Sequence, residues 1–303
     1  MEASQRIRRL KVFAGTVVAT GLVGSAGPAL GAPITFNTAL PVADDTFVTR
    51  FQGIRRERDD DIAGGREVDV DGAVGVLGYG FTRNWTGFAI TPYLDKELTV
   101  DKPRGKVRRQ ADGLGDTTLL ARYTAFERNA PGRTLRVAPV FGVVAPTGES
   151  DERDGRGEVP AQLQPGAGSW GAVSGVVVTR QTLDWEFDAS VTATTRGRDE
   201  GFEPGDEIEF AASYQYRLPW PGVESGAFTY AVLETKGIYR DDEVVGGERI
   251  ESSGTEWRVT PGLQYVTRRW VAEVAVELPL TDNLPDTALR DERFWHVGVR
   301  FNF

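Results

Sequence analysis

From Asp45 to the C-terminus, the chain is a succession of segments in which apolar and polar residues alternate. Alternation with a period of two places successive side chains on opposite faces of a β-strand, so the pattern predicts strands with one apolar and one polar face. Twelve such segments are present, over residues 45–54, 67–82, 86–97, 115–127, 133–145, 168–181, 183–197, 206–217, 225–240, 252–267, 269–281 and 292–303. The pattern therefore predicts an all-β chain.

The connections between these segments fall into two alternating classes. Those after the even-numbered segments are short, for example RNW and TLD, and those after the odd-numbered segments are long and charged, for example TVDKPRGKVRRQADG. An outer-membrane barrel has short periplasmic turns and long external loops, whereas a soluble sandwich has no reason to collect its long loops at one end. The sequence predicts a transmembrane antiparallel up-and-down β-barrel of about 12 strands over residues 45–303. The alternative is a soluble β-sandwich with the apolar face as its core.

The polar face of the segments carries charges of both signs. In a barrel these residues line the interior, and the candidate pore-lining set is Arg122, Arg136, Glu186, Asp188, Glu207, Glu209, Arg217, Glu256, Arg258, Glu273, Glu277, His296 and Arg300. Opposed charges around a constriction would favour small polar or amphipathic solutes. Alternatively, the same charges form a closed network of ion pairs that fills a narrow barrel, because twelve strands lie between filled small barrels and open porins.

Aromatic residues lie near the ends of the segments, where a membrane protein places its interfacial belt. The predicted aromatic belt consists of Trp85, Trp170, Trp185, Trp220, Trp257, Trp270, Trp295 and Phe303. The expected partners are outer-membrane lipid and lipopolysaccharide, together with the barrel-assembly machinery, which we expect to bind the C-terminal strand that ends in Phe303.

The first 31 residues resemble a secretory signal peptide, because basic residues precede an apolar stretch that ends in small residues. Small residues at Ala29 and Gly31 predict cleavage after Gly31. The mature chain would then begin at Ala32, and residues 32–44 would precede the barrel, either as a small plug inside it or free in the periplasm. The predicted location is the outer membrane of a Gram-negative bacterium.

The amino-acid composition excludes several kinds of chemical site. The 303 residues include no cysteine and one histidine, with a formal net charge of −9. Disulfides and thiolate metal sites are therefore impossible, and the acidic balance argues against nucleic-acid binding. The mature chain has no Gly-x-Ser-x-Gly nucleophile elbow, and His296, its sole imidazole, is predicted to face inward among charges. We expect no enzymatic activity, no cofactor and no metal site.

Three stretches resemble an outer-membrane transporter family named for the meta pathway of phenol degradation. The stretches are GLGDTTLLARYTAF, VAPVFGVVAPTGES and QLQPGAGSWGAVSGVVVTRQ. The matching motif residues are Gly113, Gly115 and Asp116, then Pro146, Thr147 and Gly148, then Gly168, Ser169 and Trp170. The resemblance implies an outer-membrane channel that imports aromatic or other hydrophobic compounds.

The predicted function is accordingly an outer-membrane channel for passive uptake of small-molecule solutes. The alternative is a non-conducting structural or adhesive outer-membrane barrel that acts through its charged external loops.

Overall fold

The computed structural model describes residues 31–59, 65–199, 201–219, 226–286 and 288–303. Trp220 and all but the last residue of the predicted signal peptide lie outside the described residues. Within the described ranges, no helix has the length and apolar character needed to cross a bilayer.

Nineteen strands and one short 3-10 turn, Ala161–Leu163, make up the regular structure of the described ranges. The strands are β1 Phe47–Asp59, β2 Arg66–Gly80, β3 Trp85–Lys102, β4 Gly105–Leu114, β5 Thr117–Tyr123, β6 Phe126–Ala130, β7 Arg133–Ala145, β8 Arg153–Asp154, β9 Gly157–Glu158, β10 Gly171–Thr182, β11 Trp185–Arg196, β12 Phe202–Glu203, β13 Glu207–Arg217, β14 Phe228–Arg240, β15 Glu243–Val245, β16 Glu248–Ile250, β17 Gly254–Val266, β18 Trp270–Asp282 and β19 Arg290–Asn302.

Fourteen of these strands form one antiparallel sheet that closes on itself. The last strand, β19, pairs with β1 from Val48 opposite Asn302 to Asp59 opposite Arg290. On the far side, β7 pairs with β10 along its whole length. Because β4, β5 and β6 share one place in the wall, the result is a closed barrel of 12 strands, which confirms the predicted fold class.

The fourth strand of the wall differs from its prediction. Segment 115–127 was expected to follow a long loop, but residues 105–114 form β4, which pairs with the outer half of β3 and extends that hairpin. The loop prediction over this stretch is wrong because its dense charges obscure a strand whose inner face is covered by the loop around the 3-10 turn, where Ala111 is buried with Val159 and Leu163. Its arginines are paired there, Arg108 with Glu97 at 3.0 Å and Arg109 with Asp154 at 2.5 Å.

The wall has an apolar outer face and a polar inner face. On the outer face Phe210 is 48% exposed and Val297 60% exposed, whereas on the inner face Glu277 is 1% exposed. A sandwich would bury the apolar face between two layers, so these exposures exclude that alternative. The period-two pattern therefore assigns the two faces as the barrel interpretation requires.

Three of the short turns share the sequence Thr-x-x-Trp. The hydroxyl oxygens of Thr82, Thr182 and Thr267 each accept a hydrogen bond from the backbone N–H of the tryptophan three residues later, at 3.1, 3.0 and 3.0 Å. A threonine side chain that closes a turn in this way satisfies a backbone donor that the sheet leaves unpaired. The same geometry places a tryptophan at the first residue of β3, β11 and β18.

The other predicted belt residues lie toward the opposite end of the barrel or at its seam. Trp170 directly precedes β10, and Trp257 and Trp295 lie in the halves of β17 and β19 nearest the long loops. All three indole rings are exposed, as is Phe303, whose backbone N–H donates to the Phe47 carbonyl at 3.0 Å. Their role as an interfacial belt remains a prediction.

The facing assignment predicts the effect of a charge placed on the outer face of β18. Val274 is exposed and lies four residues from the turn that begins β18, so Val274→Arg should lower the free energy of unfolding by about 2–4 kcal/mol, the cost of arginine near a bilayer midplane. Leu280→Arg, on the same face but near the loops, is the matched control and should cost about 0–1 kcal/mol. Urea unfolding in lipid vesicles measures both, and equal costs would contradict the assignment.

Candidate functional site

The interior of the barrel is the candidate functional site, and it has two zones. The turn end is the end of the barrel with the short connections, and the loop end carries the long ones. Residues 32–43, here called the inner segment, fold back from β1 into the turn-end half. A network of ion pairs lies nearer the loop end on one side of the wall.

The inner segment spans the barrel between opposite walls. Ile34 is fully buried and packs with Val232 and Ala275, on β14 and β18. Five residues later Ala39 is also fully buried, in a cluster with Ala138 on β7 and further residues of β7 and β10. These two strand groups lie on opposite sides in the order of the sheet. The segment therefore crosses the turn-end half of the interior.

The first part of the segment is held through its backbone. The carboxylate of Glu234 accepts hydrogen bonds from the backbone N–H of Ile34 at 2.6 Å and of Thr35 at 3.1 Å, and from the Thr35 hydroxyl at 2.6 Å. The side-chain amide of Gln264 donates to the Ala32 carbonyl at 2.7 Å. Arg50 donates to the Ile34 carbonyl. A buried chain without regular structure needs such partners, because unpaired backbone polar groups are costly.

The second part of the segment is held on the opposite wall. The hydroxyl of Thr179 lies 2.9 Å from that of Thr38 and accepts the Ala39 N–H at 2.7 Å. Arg122 donates to the backbone carbonyls of Thr38 and Leu40. Arg122 is thus a contact of the inner segment rather than a free charge in an open lumen.

Glu277 is the centre of the loop-end network. Its carboxylate lies 2.8 Å from His296 Nε2, 3.6 Å from Lys236 Nζ and 3.4 Å from a guanidinium nitrogen of Arg258. Arg258 in turn pairs with Glu256 at 2.5 Å. Removing one partner from so buried a set would leave an uncompensated charge, which is far more costly than the loss of an exposed pair.

The network continues to the walls on either side. Asp291 accepts from Arg258, from Arg56 at 2.7 Å and from Arg58 at 3.0 Å. Arg240 pairs with Glu207 at 2.9 Å. The ion pairs join five cations, Arg56, Arg58, Lys236, Arg240 and Arg258, to five carboxylates, Glu207, Glu209, Glu256, Glu277 and Asp291. These five cations and five carboxylates balance one another in formal charge.

The structure places eleven of the thirteen predicted pore-lining residues in three locations. The network contains six of them: Glu207, Glu209, Glu256, Arg258, Glu277 and His296. Three lie around the inner segment, namely Arg122, Asp188 and Glu273. Two lie at the turn-end mouth, where Arg136 pairs with Glu127 and Arg217 with Asp184. Glu273 lies apart from the network, bound to Arg50 and Gln264. Glu186 is buried and accepts from Gln181, and Arg300 is partly buried on β19.

Seven charged residues of the interior were not predicted from the sequence, namely Arg50, Arg56, Arg58, Glu234, Lys236, Arg240 and Asp291. Glu234, Lys236 and Arg240 alternate along β14 with the same period as the residues that were found. This spacing indicates inward-facing residues, but the inward face of β14 also carries the apolar Val232 and Ile238, which obscure the alternation of polar and apolar positions. Within the described ranges, no three side chains of the metal-ligating types are placed to hold an ion together.

The residues of the family motifs lie close together at the junction between β4 and β5. The two carboxylate oxygens of Asp116 accept the backbone N–H groups of Gly148, at 3.0 Å, and Ala167, at 2.8 Å. A Cβ atom on Gly148 would lie 2.7 Å from the backbone of Gly115, so only glycine allows this close approach. Ser169 donates to the Gly197 carbonyl at 2.8 Å. The motifs thus fasten the longest external loop to the wall.

Solved structures resemble this fold at low sequence identity. An outer membrane channel from Pseudomonas putida F1 is 14% identical, has a TM-score of 0.62 and covers 93% of this chain and 100% of its own. The beta domain of the Bordetella autotransporter BrkA is 14% identical (TM-score 0.48, 86% and 100% covered), and the translocator domain of autotransporter NalP from Neisseria meningitidis is 12% identical (TM-score 0.42, 85% and 88% covered). At these identities the likeness to the channel shows the fold.

No curated protein matches the chain. Residues 43–288 match the profile of the family described as "Putative MetA-pathway of phenol degradation". Since this match extends over most of the chain, the protein belongs to that family.

Proposed function

We propose that the protein is a passive channel for small molecules in the outer membrane, exported through a signal peptide that is cleaved after Gly31. One observation carries the proposal: a closed wall with an apolar outer face surrounds a charged interior. Only a barrel that sits in lipid with an aqueous interior gives both faces a suitable solvent. Family membership and the channel-like fold support it, and aromatic or amphipathic compounds are the proposed solutes.

The inner segment is the proposed gate. It occupies the turn-end half of the interior, so a solute that enters from the loop end must displace it to leave. Its contacts with the wall are small apolar clusters and hydrogen bonds, of which those to Glu234, Arg50 and Arg122 each contribute about 1.5–3 kcal/mol. The segment itself carries no charged side chain, so its release leaves no charge of its own unpaired, and water that enters the barrel can take over its partners on the wall.

The balanced ion-pair network and the seated segment favour a second candidate, the non-conducting structural or adhesive barrel. In that case, the interior is a rigid filling, and the charged loops bind outside partners. The two candidates differ in whether the inner segment can be moved to let solute through.

Conductance separates the two candidates. The mature protein in planar bilayers should give ion current above the lipid background, and Glu234→Ala should raise that current several-fold. The reason is that the variant removes three hydrogen bonds to Ile34 and Thr35, which together shift the seated–released equilibrium by at least about tenfold. Glu243→Ala, on an external strand, is the control. Absence of current from both the unaltered protein and Glu234→Ala would reject the channel.

A reversible crosslink tests the gate directly, and the absence of cysteine from the native chain makes the background clean. The Thr38 and Thr179 hydroxyls are 2.9 Å apart, so the double variant Thr38→Cys with Thr179→Cys should form a disulfide that fixes the segment to β10. Liposome swelling with small solutes should fall on oxidation and recover with reductant.

Either single cysteine variant should be insensitive to both treatments. Equal swelling rates for the oxidised and reduced double variant, with the disulfide verified by mass spectrometry, would show that solutes pass without movement of the segment.

A further inference from the structure

A cavity of about 490 Å³ lies at the loop end of the interior, between β3 and β11. Its wall is formed by residues of β3, β5, β7, β10 and β11, and its cover by the loop around the 3-10 turn. The volume falls within the range of about 300–1,000 Å³ that is typical of small-molecule sites. The position and size of the cavity suit a small organic ligand.

Two cations line this cavity without a carboxylate partner in the described part of the chain. Lys96 donates to the backbone carbonyl of Gln164 at 2.6 Å, and Arg196 to the carbonyl of Gly205 at 2.9 Å. Each side chain keeps further N–H donors. This sets them apart from the interior cations of the network, each of which has a carboxylate within ion-pair distance.

Asp116 is the one acidic residue of the lining, and both its oxygens already accept backbone N–H groups. Two cations and one carboxylate give the lining a net charge of +1. The field in the cavity therefore favours an anion, and the spare donors of Lys96 and Arg196 would bind it.

The remainder of the lining is largely apolar. Leu120, Val144 and Val173 present aliphatic side chains from the wall, and Phe202 and Pro204 approach from the loop that precedes β13. An apolar surface with a few placed polar groups is the usual composition of a site that orients a small ligand. The ligand that fits has an apolar body and one anionic group.

We infer that this cavity is a binding site for small amphipathic carboxylates, in which Lys96 and Arg196 bind the carboxylate and the aliphatic wall binds an aromatic or alkyl body. This inference rests on the proposed function, because it names the class of solute that the channel accepts. Leu120 lines the cavity and also packs against the cluster that contains Ala39 of the inner segment. A bound carboxylate would thus sit directly beside the proposed gate.

Binding of a matched pair of probes to the full mature protein in lipid nanodiscs tests the inference. Naphthalene-2-carboxylate and naphthalene-2-carboxamide share shape and apolar area, and only the first is charged. By calorimetry, the carboxylate should bind at least about tenfold more tightly, the equivalent of one charge-assisted hydrogen bond of about 1.5–3 kcal/mol. Lys96→Met and Arg196→Met should each remove most of this preference, because carboxylate affinity falls much more than carboxamide affinity; residual carboxamide binding reports an intact cavity.

Lys106→Met is the matched control, since Lys106 is an exposed loop-end lysine that pairs with Asp101 and lies outside the lining. This variant should retain the preference, as should Lys96→Arg, which keeps the charge. Equal affinity of the two probes for the unaltered protein would overturn the inference. The same would follow if Lys106→Met reduced the preference as much as Lys96→Met, because the effect would then come from the general field of the loops.

The failure of this inference and that of the proposed function give different results. Solute swelling or ion current without discrimination between the two probes would reject the carboxylate site and leave the channel. Selective binding that depends on Lys96 and Arg196, without current or swelling from any variant, would keep the site and reject transport.

Discussion

Backbone hydrogen bonding in hydrocarbon is the constraint on which the rest of the structure depends. Lipid offers no partner for an open strand edge, so a membrane-spanning sheet must close, as β19 does on β1. Closure fixes one face of every strand toward lipid and the other toward an enclosed space. Apolar residues such as Phe210 and Val274 must then occupy the outer face, and charged side chains such as Glu277 are enclosed on the inner face.

The enclosed charges have to be neutralised by nearby groups, and the kind of partner differs between parts of the wall. On the side of β14, β17 and β18, carboxylates and cations alternate closely enough to neutralise one another around Glu277 and Arg258. Around the cavity between β3 and β11, the side chains of Lys96 and Arg196 donate to backbone carbonyls, and within the described ranges neither has a carboxylate within ion-pair distance. The interior thus holds a neutralised cluster of ion pairs and a cavity lined by two cations, and this cavity is where a solute has room.

The sequence was enough to predict the closed barrel and the facing of its strands, because both follow from a period of two and from the alternation of short and long connections. It did not predict β4, because the buried face of that strand packs against the loop around the 3-10 turn and carries Arg109, so apolar and polar residues do not alternate. Nor did it decide whether the residues before β1 enter the barrel, since the contacts of Ile34 with Glu234 join positions 200 residues apart and leave no local periodicity. Lys96 lies within a predicted strand segment. The residues next to it in the sequence do not indicate that, within the described ranges, it lacks a carboxylate at ion-pair distance.

The contrast between the network and the inner segment indicates which part of the interior can move. Breaking a buried ion pair leaves a charge that no nearby group compensates, so Arg258 and Glu277 are fixed to the wall that presents them. The inner segment carries no charged side chain and is held by hydrogen bonds to wall groups, among them Glu234, Arg50 and Arg122, to which water entering the barrel can supply new partners. The ion pairs hold the wall rigid, whereas water can replace the hydrogen bonds of the inner segment. We therefore expect the segment to move and the barrel to stay in place.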